Sequence, residues 1–182
     1  MADMPKTYDP SENEPQILQK WLDGGYYKRR PGVGDCTVTI PPPNVTGKLH
    51  MGHATDDSIQ DAIIRMARMR GKSTRWVLGT DHAGIATQTK VDKKLKSEGI
   101  SRLQIGREKF IDACWDWTHE YGGIIVEQIK RMGCSVDFEG ERFTMDADYA
   151  EAVRRVFCDW YHAGLIYRGK RIVNWCPSCT TA

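Results

Sequence analysis

The sequence has no long hydrophobic run and no strong excess of charge of either sign. It has 182 residues, of which 40% are hydrophobic, and its 26 Lys and Arg against 24 Asp and Glu give a net charge of +2. No apolar stretch approaches the roughly 20 residues that a membrane-spanning helix needs, and the polar start over residues 1–13 has no signal-peptide core. We therefore expect a cytoplasmic protein without a membrane partner. The charge balance neither requires nor excludes nucleic acid, although a dedicated nucleic-acid binder more often has a strongly basic face.

The six cysteines are irregularly spaced. Four cysteines stand singly among apolar residues and are interpreted as small core side chains: Cys36, Cys114, Cys134 and Cys158. The other two, Cys176 and Cys179, have the two-residue spacing that suits tetrahedral zinc, but a closed structural site needs four ligands. No second Cys-x-x-Cys is present in the sequence. The pair is therefore a zinc half-site, and the pattern as a whole fits a reducing compartment.

Two familiar phosphate-binding motifs are absent. Gly71-Lys72-Ser73 ends like a P-loop, but Met66 stands where the earlier glycine belongs. Gly32-Val33-Gly34 begins like a dinucleotide fingerprint, but Thr37 replaces its third glycine and the motif precedes its strand instead of following it. Any nucleotide site must therefore be built in another way.

Strands and helices alternate in the middle of the chain. Apolar periodicity predicts a strand over 36–40, a helix over 50–70, a strand over 76–78 and a helix over 84–99. This order is a βαβα unit, so we expect an α/β fold with a parallel sheet and a right-handed crossover. Ligands bind such sheets beyond the carboxyl ends of the strands. The loops 41–50 and 79–84 are therefore where the site is expected.

The remaining elements are predicted from weaker patterns. They are a polar arm over 1–15, an amphipathic stretch over 16–22, two helices in 107–132 that meet at Gly122-Gly123, a helix after the N-cap Asp146, and a last strand at Ile172-Val173. On the helix over 50–70, Ile59, Ile63, Met66 and Arg70 line one face at three- and four-residue spacing, the amphipathic pattern of a face that packs into the core.

The segment from Pro41 to His53 carries the strongest chemical signal. A strand ends in three prolines, and two histidines then flank Met51-Gly52 where a helix begins. A helix amino terminus presents unpaired N–H groups and a partial positive charge, and glycine lets a base or phosphate approach the backbone. His50 and His53 lie on one side of the first turn, so both can donate to a phosphate. Taken alone, they could equally be surface residues at a helix cap.

Three segments resemble class I aminoacyl-tRNA synthetases. Residues 44–54 are similar to the family's ATP-binding signature, and Pro41-Pro42-Pro43-Asn44-Val45-Thr46-Gly47 has the form typical of its valine enzymes. Residues 79–88 and 174–177 also resemble segments of those enzymes, and the likeness runs from about Tyr8 to Ala182. The resemblance implies a Rossmann-like parallel sheet, the first half of the class I nucleotide-binding fold, with added helices.

The resemblance also implies two groups of site residues. The ATP-binding group is Asn44, Thr46, Gly47, His50, Gly52 and His53, of which His50 and His53 are also catalytic. The amino-acid-binding group is Pro41, Pro42, Asn44 and Asp81. Asp81 would hold the ammonium group of valine, and a carboxylate at a strand end suits that role on physical grounds as well. Its alternative role is the N-cap of the next helix, and Asp56, Asp57 and Gln88 are either further site residues or ordinary helix-surface residues.

The implied reaction first converts valine and ATP into valyl-adenylate and pyrophosphate, with magnesium on the phosphates. It then transfers valine to tRNA(Val).

The implied domains are an arm and short helix over 1–35, the first half of the catalytic domain over 36–170, and a stem over 171–182 that leads to an editing insertion. In related synthetases the partner of the cysteine pair lies further along the chain, so zinc is expected in the longer enzyme. That enzyme is expected to be a monomer. That enzyme would also supply the family's Lys-Met-Ser-Lys-Ser loop, which this sequence lacks.

Three other hypotheses stay open at this stage. The chain could be another nucleotidyltransferase that uses a His-x-Gly-His loop on a similar sheet, although the Asp81 segment argues against that. It could bind ATP or valine without turnover, because the lysine-containing loop is missing. A zinc-dependent RNA-binding module is a third hypothesis, disfavoured by the single half-site and the weak net charge.

Overall fold

The computed structural model describes residues 6–178 and 181–182. Contacts within the chain divide it into two units, Met1–Met145 and Asp146–Ala182. The first unit contains α1 (Pro10–Asp23), β1 (Asp35–Thr39), α2 (Met51–Met69), β2 (Ser73–Thr80), α3 (Gly84–Ser97), α4 (Arg102–Arg131) and β3 (Asp137–Phe143), and the second contains α5 (Ala147–His162). No helix in the described ranges is both long and apolar enough to cross a membrane. The domain bounds expected at residues 35 and 170 stay a prediction.

The three strands form one parallel sheet in the order β1-β2-β3. β2 lies in the middle, with Val38 of β1 opposite its Trp76, and the α/β prediction is confirmed. β3 was missed by the sequence interpretation, which took this region to be mainly helical. Its sequence, DFEGERF, is half-buried and largely charged, so it lacks the apolar run by which a buried parallel strand is recognised.

The core lies where the sheet meets α2 and α4. Trp76 and Leu78 of β2, Ile64 of α2, and Ile125 and Ile129 of α4 are all fully buried in one cluster. Cys134 is buried here and Cys36 packs against the cluster. Cys114 is half-buried, whereas Cys158 of α5 is exposed, so the prediction of a core role was wrong for that residue.

Helix α2 buries a different face from the one predicted. Ile59, Ile63 and Met66 are 59%, 46% and 46% exposed, whereas Ile64 and Ala67 are buried against the sheet. The helix has apolar residues on two sides, and periodicity alone does not say which side meets a strand. The small Ala67 allows the close approach to the sheet that a methionine would prevent.

Three boundaries also differ from the predictions. α1 begins at Pro10 because the carboxylate of Asp9 accepts a hydrogen bond from the Ser11 N–H at 2.8 Å, and proline is well tolerated in a first turn. α4 continues through Gly122-Gly123 and is broken instead at Gly106, where φ is 80° and ψ 170°, a conformation that favours glycine. Ile172-Val173, predicted as a strand, belongs to none in the structure.

Helix α4 holds the loop that precedes α2 at both ends. The Trp117 indole N–H donates to the Val45 carbonyl at 2.8 Å, and the Leu49 N–H donates to the Gln128 side-chain carbonyl at 2.9 Å. Val45 itself is fully buried. Because these contacts flank residues 46–48, the loop is fixed by partners that lie 72 and 79 residues further along the chain.

We predict that Gln128→Leu destabilises the protein by about 1–3 kcal/mol, because it leaves the half-buried Leu49 N–H without an acceptor. Urea unfolding of the chain measures the loss, and amide exchange over residues 46–49 should accelerate in parallel. Gln128→Glu keeps an acceptor at the same place and serves as the matched control. Equal destabilisation by both variants would contradict the role assigned to this hydrogen bond.

Asp57 is an acid buried inside α2. Its residue is 2% exposed, and its Oδ2 atom has no hydrogen-bond partner among the described residues. Burial, with the nearby carboxylates of Asp56 and Asp61, raises the pKa of Asp57 to about 6. Folding therefore favours the protonated form, and ionisation of Asp57 opposes folding.

We expect Asp57→Asn to stabilise the protein in a pH-dependent way. An acid whose pKa is higher when folded loses its contribution as pH rises, here between pH about 4 and pH about 7. Denaturant midpoints should therefore be similar for both proteins near the lower limit and favour Asp57→Asn near the upper one. The exposed Asp112→Asn is the control for removal of one carboxylate from a helix surface, and it should not reproduce the gain in stability of Asp57→Asn. A pH-independent offset for Asp57→Asn would refute the buried-acid explanation.

Candidate active site

The carboxyl ends of the three strands deliver three segments to one edge of the sheet. β1 leads into Pro41–Asn44, β2 into Asp81-His82, and β3 into Thr144. Asn44 and Asp81 form a parallel bridge, in which the Asp81 N–H donates to the Pro43 carbonyl at 2.9 Å and the Val45 N–H donates to the Asp81 carbonyl at 3.0 Å. The two loops predicted from the sequence therefore lie side by side at the edge where parallel sheets bind ligands.

His50 and His53 form a reciprocal cap at the start of α2. His50 is the N-cap, and its Nδ1 accepts from the Gly52 N–H at 3.1 Å, while Nδ1 of His53 accepts from the His50 N–H at 3.1 Å. The two rings lie 3.9 Å apart. A neutral imidazole that accepts at Nδ1 carries its proton on Nε2. This hydrogen-bond pattern therefore assigns both rings as Nε2–H donors.

The electrostatics keep His53 neutral. Burial and the neighbouring His50 both lower the pKa of His53 below the ordinary value, and Asp56 opposes them only in part. At neutral pH the ring is thus an N–H donor and not a fixed cation. Its donor adds to the partial positive charge of the α2 amino terminus, so the pair can receive a phosphate without holding it through full ionic charge.

Two glycines of the predicted ATP-binding group behave differently. A Cβ on Gly52 would lie 2.9 Å from Cε1 and 3.0 Å from Nδ1 of His50, so a side chain at this position would displace the capping ring. A Cβ on Gly47 would meet nothing within 4 Å. The open space at Gly47 lies just after a tight turn in which the Thr46 N–H donates to the Asn44 carbonyl at 2.7 Å. Gly52 thus protects the cap, while Gly47 leaves room beside the loop.

Asp81 accepts its hydrogen bonds with one carboxylate oxygen. Its Oδ1 accepts from the Ala83 N–H at 3.2 Å and from the Thr144 hydroxyl at 3.1 Å, and lies 3.4 Å from Nδ1 of His82. Oδ2 accepts no hydrogen bond from the described part of the chain, and the side chain is 34% exposed. Asp81 is not the N-cap of α3, which is Ala83. One carboxylate oxygen is thereby held while the other can meet a cation.

Ala83 has a strained backbone next to this carboxylate. Its φ of 41° and ψ of 55° are left-handed, and it is the one such residue other than glycine in the described part of the chain. The conformation points its N–H at Asp81 Oδ1. Such backbone strain costs about 1–3 kcal/mol and is found mostly at ligand sites.

The other predicted residues fall into two groups. Pro41, Pro42 and Asn44 are exposed at the sheet edge beside Asp81, whereas Pro43 is buried. Of the weaker candidates, Asp57 is buried inside α2 and belongs neither to the site nor to the surface. Asp56 and Gln88 are exposed on their helices.

Two residues of this edge were missed in the sequence. The Thr144 hydroxyl contacts both Asp81 and His82. It follows the charged strand β3, 63 residues beyond Asp81, so no local motif marks it. His82 does carry a local signal, because it lies between Asp81 and the glycine that begins α3. That position at a strand end could have marked it as a candidate site residue.

The cysteine pair lies in the second unit. Cys176 is exposed and pairs with Thr181 in an antiparallel bridge, and Cys179 lies outside the described residues. Across residues 6–178 and 181–182, no three His, Cys, Asp or Glu side chains come together as metal ligands. A structural zinc site needs four donors, and the single thiol described in this segment does not supply that set.

The chain is similar in sequence to valine–tRNA ligases. It is 50% identical over 184 residues to the ligase of Fusobacterium nucleatum, 53% over 186 residues to that of Lactiplantibacillus plantarum, and 51% over 180 residues to that of Thermus thermophilus. These matches cover 98–100% of the chain and 21% of each relative. The chain thus spans about a fifth of the length of the curated relatives it matches.

The fold and the family model agree with these relatives. The solved structure of agnB2 LeuRS from Agrobacterium radiobacter K84, a ternary complex with tRNA and LeuAMS, superposes with a TM-score of 0.75 at 24% identity, covering 94% of this chain and 20% of that one. This likeness concerns the fold. The family model "tRNA synthetases class I (I, L, M and V)" matches residues 16–182. The chain therefore belongs to the class I tRNA synthetase family.

Proposed function

We propose that the protein carrying this chain activates valine with ATP and then transfers it to tRNA(Val). The observation that carries the proposal is that one edge of the sheet presents both kinds of group. Two Nε2–H donors stand at the α2 amino terminus, and the carboxylate of Asp81 stands at the neighbouring strand end. The first can receive the polyphosphate of ATP and the second the ammonium group of an amino acid. The identity of the curated relatives supports valine as that amino acid.

The first step is a displacement at phosphorus. A carboxylate oxygen of valine attacks the α-phosphorus of ATP, the bond to the bridging oxygen breaks, and pyrophosphate leaves with the electron pair. This chemistry needs positioning and charge stabilisation instead of a covalent enzyme intermediate. His50 and His53 donate to phosphate oxygens, and the α2 amino terminus stabilises the charge that develops there. Magnesium on the phosphates would neutralise further charge when bound.

The amino-acid half of the site is built on the Asn44–Asp81 bridge. Asp81 binds the ammonium group through Oδ2, because Oδ1 is already occupied by Ala83 and Thr144. The Pro42 carbonyl assists, and Pro41, Pro42 and Asn44 form part of the side-chain pocket. An ion pair of this kind orients the substrate carboxylate, which must reach the α-phosphorus in line.

The test is pyrophosphate exchange in a chimera. Residues 1–182 replace the corresponding segment of the Thermus thermophilus valine–tRNA ligase, to which the chain is 51% identical. We expect exchange of labelled pyrophosphate into ATP that depends on valine and not on isoleucine or leucine. A folded chimera that exchanges with isoleucine or leucine better than with valine, or that exchanges with none of the three, would overturn the proposal.

Removing one phosphate donor should slow activation. We expect His53→Ala to lower kcat for exchange by about a hundredfold, the usual loss for one donor to a developing charge, at a nearly unchanged valine KM. His119→Ala on α4, which removes an imidazole that is not at the α2 amino terminus, is the control and should exchange as wild type does. A rise in valine KM at unchanged kcat would speak against phosphate stabilisation by His53.

Removing the negative charge at Asp81 should weaken amino-acid binding. Hydrogen bonds to charged groups contribute about 1.5–3 kcal/mol, so we expect Asp81→Asn to raise valine KM about ten- to a hundredfold. The KM for ATP should change little. Asp112→Asn, an exposed acid on α4, is the control, and parallel increases in both KM values would argue for general misfolding instead.

A further inference from the structure

The Thr144 hydroxyl lies at the centre of three polar contacts. Its Oγ1 is 2.9 Å from the His82 backbone nitrogen, 2.6 Å from His82 Nδ1 and 3.1 Å from Asp81 Oδ1. The residue itself is half-buried. Its backbone is fixed as well, because the Thr144 N–H donates to the Thr80 carbonyl at 3.1 Å. The Thr144 backbone is therefore fixed at the end of the sheet, beside Asp81 and His82.

A count of protons and lone pairs fixes the direction of each hydrogen bond. A hydroxyl has one proton to donate and two lone pairs to accept with. The His82 backbone N–H can only donate, and an ionised Asp81 can only accept. If Thr144 donated to His82 Nδ1 instead, its oxygen would face Asp81 Oδ1 with no proton between them. The consistent assignment has Thr144 donating to Asp81 and accepting from both nitrogens of His82.

This assignment sets the tautomer of His82. Its Nδ1 must carry the ring proton, which it donates to Thr144, and this nitrogen also lies 3.4 Å from Asp81 Oδ1. Nε2 is then an acceptor, the opposite of His50 and His53, whose Nδ1 atoms accept from the backbone. The hydrogen bond made by one ring nitrogen thus decides the chemistry of the other.

We propose that Thr144 is a positioning residue for recognition of the amino-acid ammonium group. It holds Asp81 through Oδ1 so that Oδ2 is presented to the substrate, and it holds His82 as the Nδ1–H tautomer. This proposal rests on the proposed function, since Asp81 must bind an ammonium group for the positioning to matter. The chemical class recognised is a primary amine next to a carboxylate.

The first arm of the test needs no activity. Long-range 1H–15N correlation spectra of the 15N-labelled chain, at pH about 8.5 where imidazoles are ordinarily neutral, report which ring nitrogen is protonated. The signal of His82 is identified by its loss in His82→Gln. We expect the Nδ1–H form in wild type and Thr144→Ser, and a shift towards Nε2–H in Thr144→Val. His50 and His53 should show Nε2–H throughout.

The second arm measures the chimera. We expect Thr144→Val to raise valine KM about tenfold, as the loss of one hydrogen bond to a charged group predicts, with ATP KM unchanged and Thr144→Ser restoring the wild-type value. Thr118→Val is the matched control, because it removes a half-buried hydroxyl that donates to the Cys114 carbonyl at 2.8 Å on α4. Its valine KM should equal that of wild type.

The two arms separate the possible failures. An Nε2–H form of His82 in wild type, or no change in Thr144→Val, would overturn the hydrogen-bond assignment. A changed tautomer with an unchanged valine KM would overturn the role in substrate recognition. A folded wild-type chimera without valine-dependent exchange would contradict the proposed function and the substrate role of Thr144 together, while the spectra still decide whether Thr144 sets the tautomer.

Discussion

The pairing of Asn44 with Asp81 holds the two halves of the site together. Proline residues end β1, since they offer no N–H to a neighbouring strand. The chain nevertheless pairs again with the residue that follows β2. The Asp81 N–H donates to the Pro43 carbonyl, and the Val45 N–H donates to the Asp81 carbonyl. Because this bridge comes after the prolines, the loop towards α2 starts from a fixed point. Val45 is fixed there by its burial and by the hydrogen bond that its carbonyl accepts from the Trp117 indole.

The start of α2 shows how structural hydrogen bonds can determine chemistry. Any N-cap must satisfy backbone N–H groups that have no partner within the helix. Here two imidazoles do so, and each uses Nδ1. The same bonds that satisfy the backbone leave Nε2–H groups as donors. A serine or aspartate would cap the helix equally well but would offer no donor of this reach. Histidine at these two positions therefore both caps the helix and presents Nε2–H donors in front of it.

The sequence was a good guide to local structure and a poor guide to distant partners. β1, β2, α2 and α3 could be predicted because each has its own periodicity and its own turn residues, and the loops at the strand ends followed from the parallel order. The buried face of α2 could not, since Ile59 and Ile64 are equally apolar and only the position of the sheet distinguishes them. Thr144 could not either, because its partners are brought to it by β3, a strand whose charged sequence carries no strand signal.

The distribution of charge across this edge gives it a direction. The β2 end presents a carboxylate oxygen without a partner among the described residues, and the α2 end presents two imidazole donors, of which His53 has a pKa held below the ordinary value. In the proposed function, a zwitterionic amino acid would bind such an edge with its ammonium group at Asp81, which would leave its carboxylate free to meet the nucleotide. The phosphate chain of a nucleotide is attracted to the same helix end. In the proposed function, the two reacting groups would therefore be brought together by attraction to opposite ends of this edge, and a neutral His53 would donate to the phosphates without binding pyrophosphate so tightly that it could not leave.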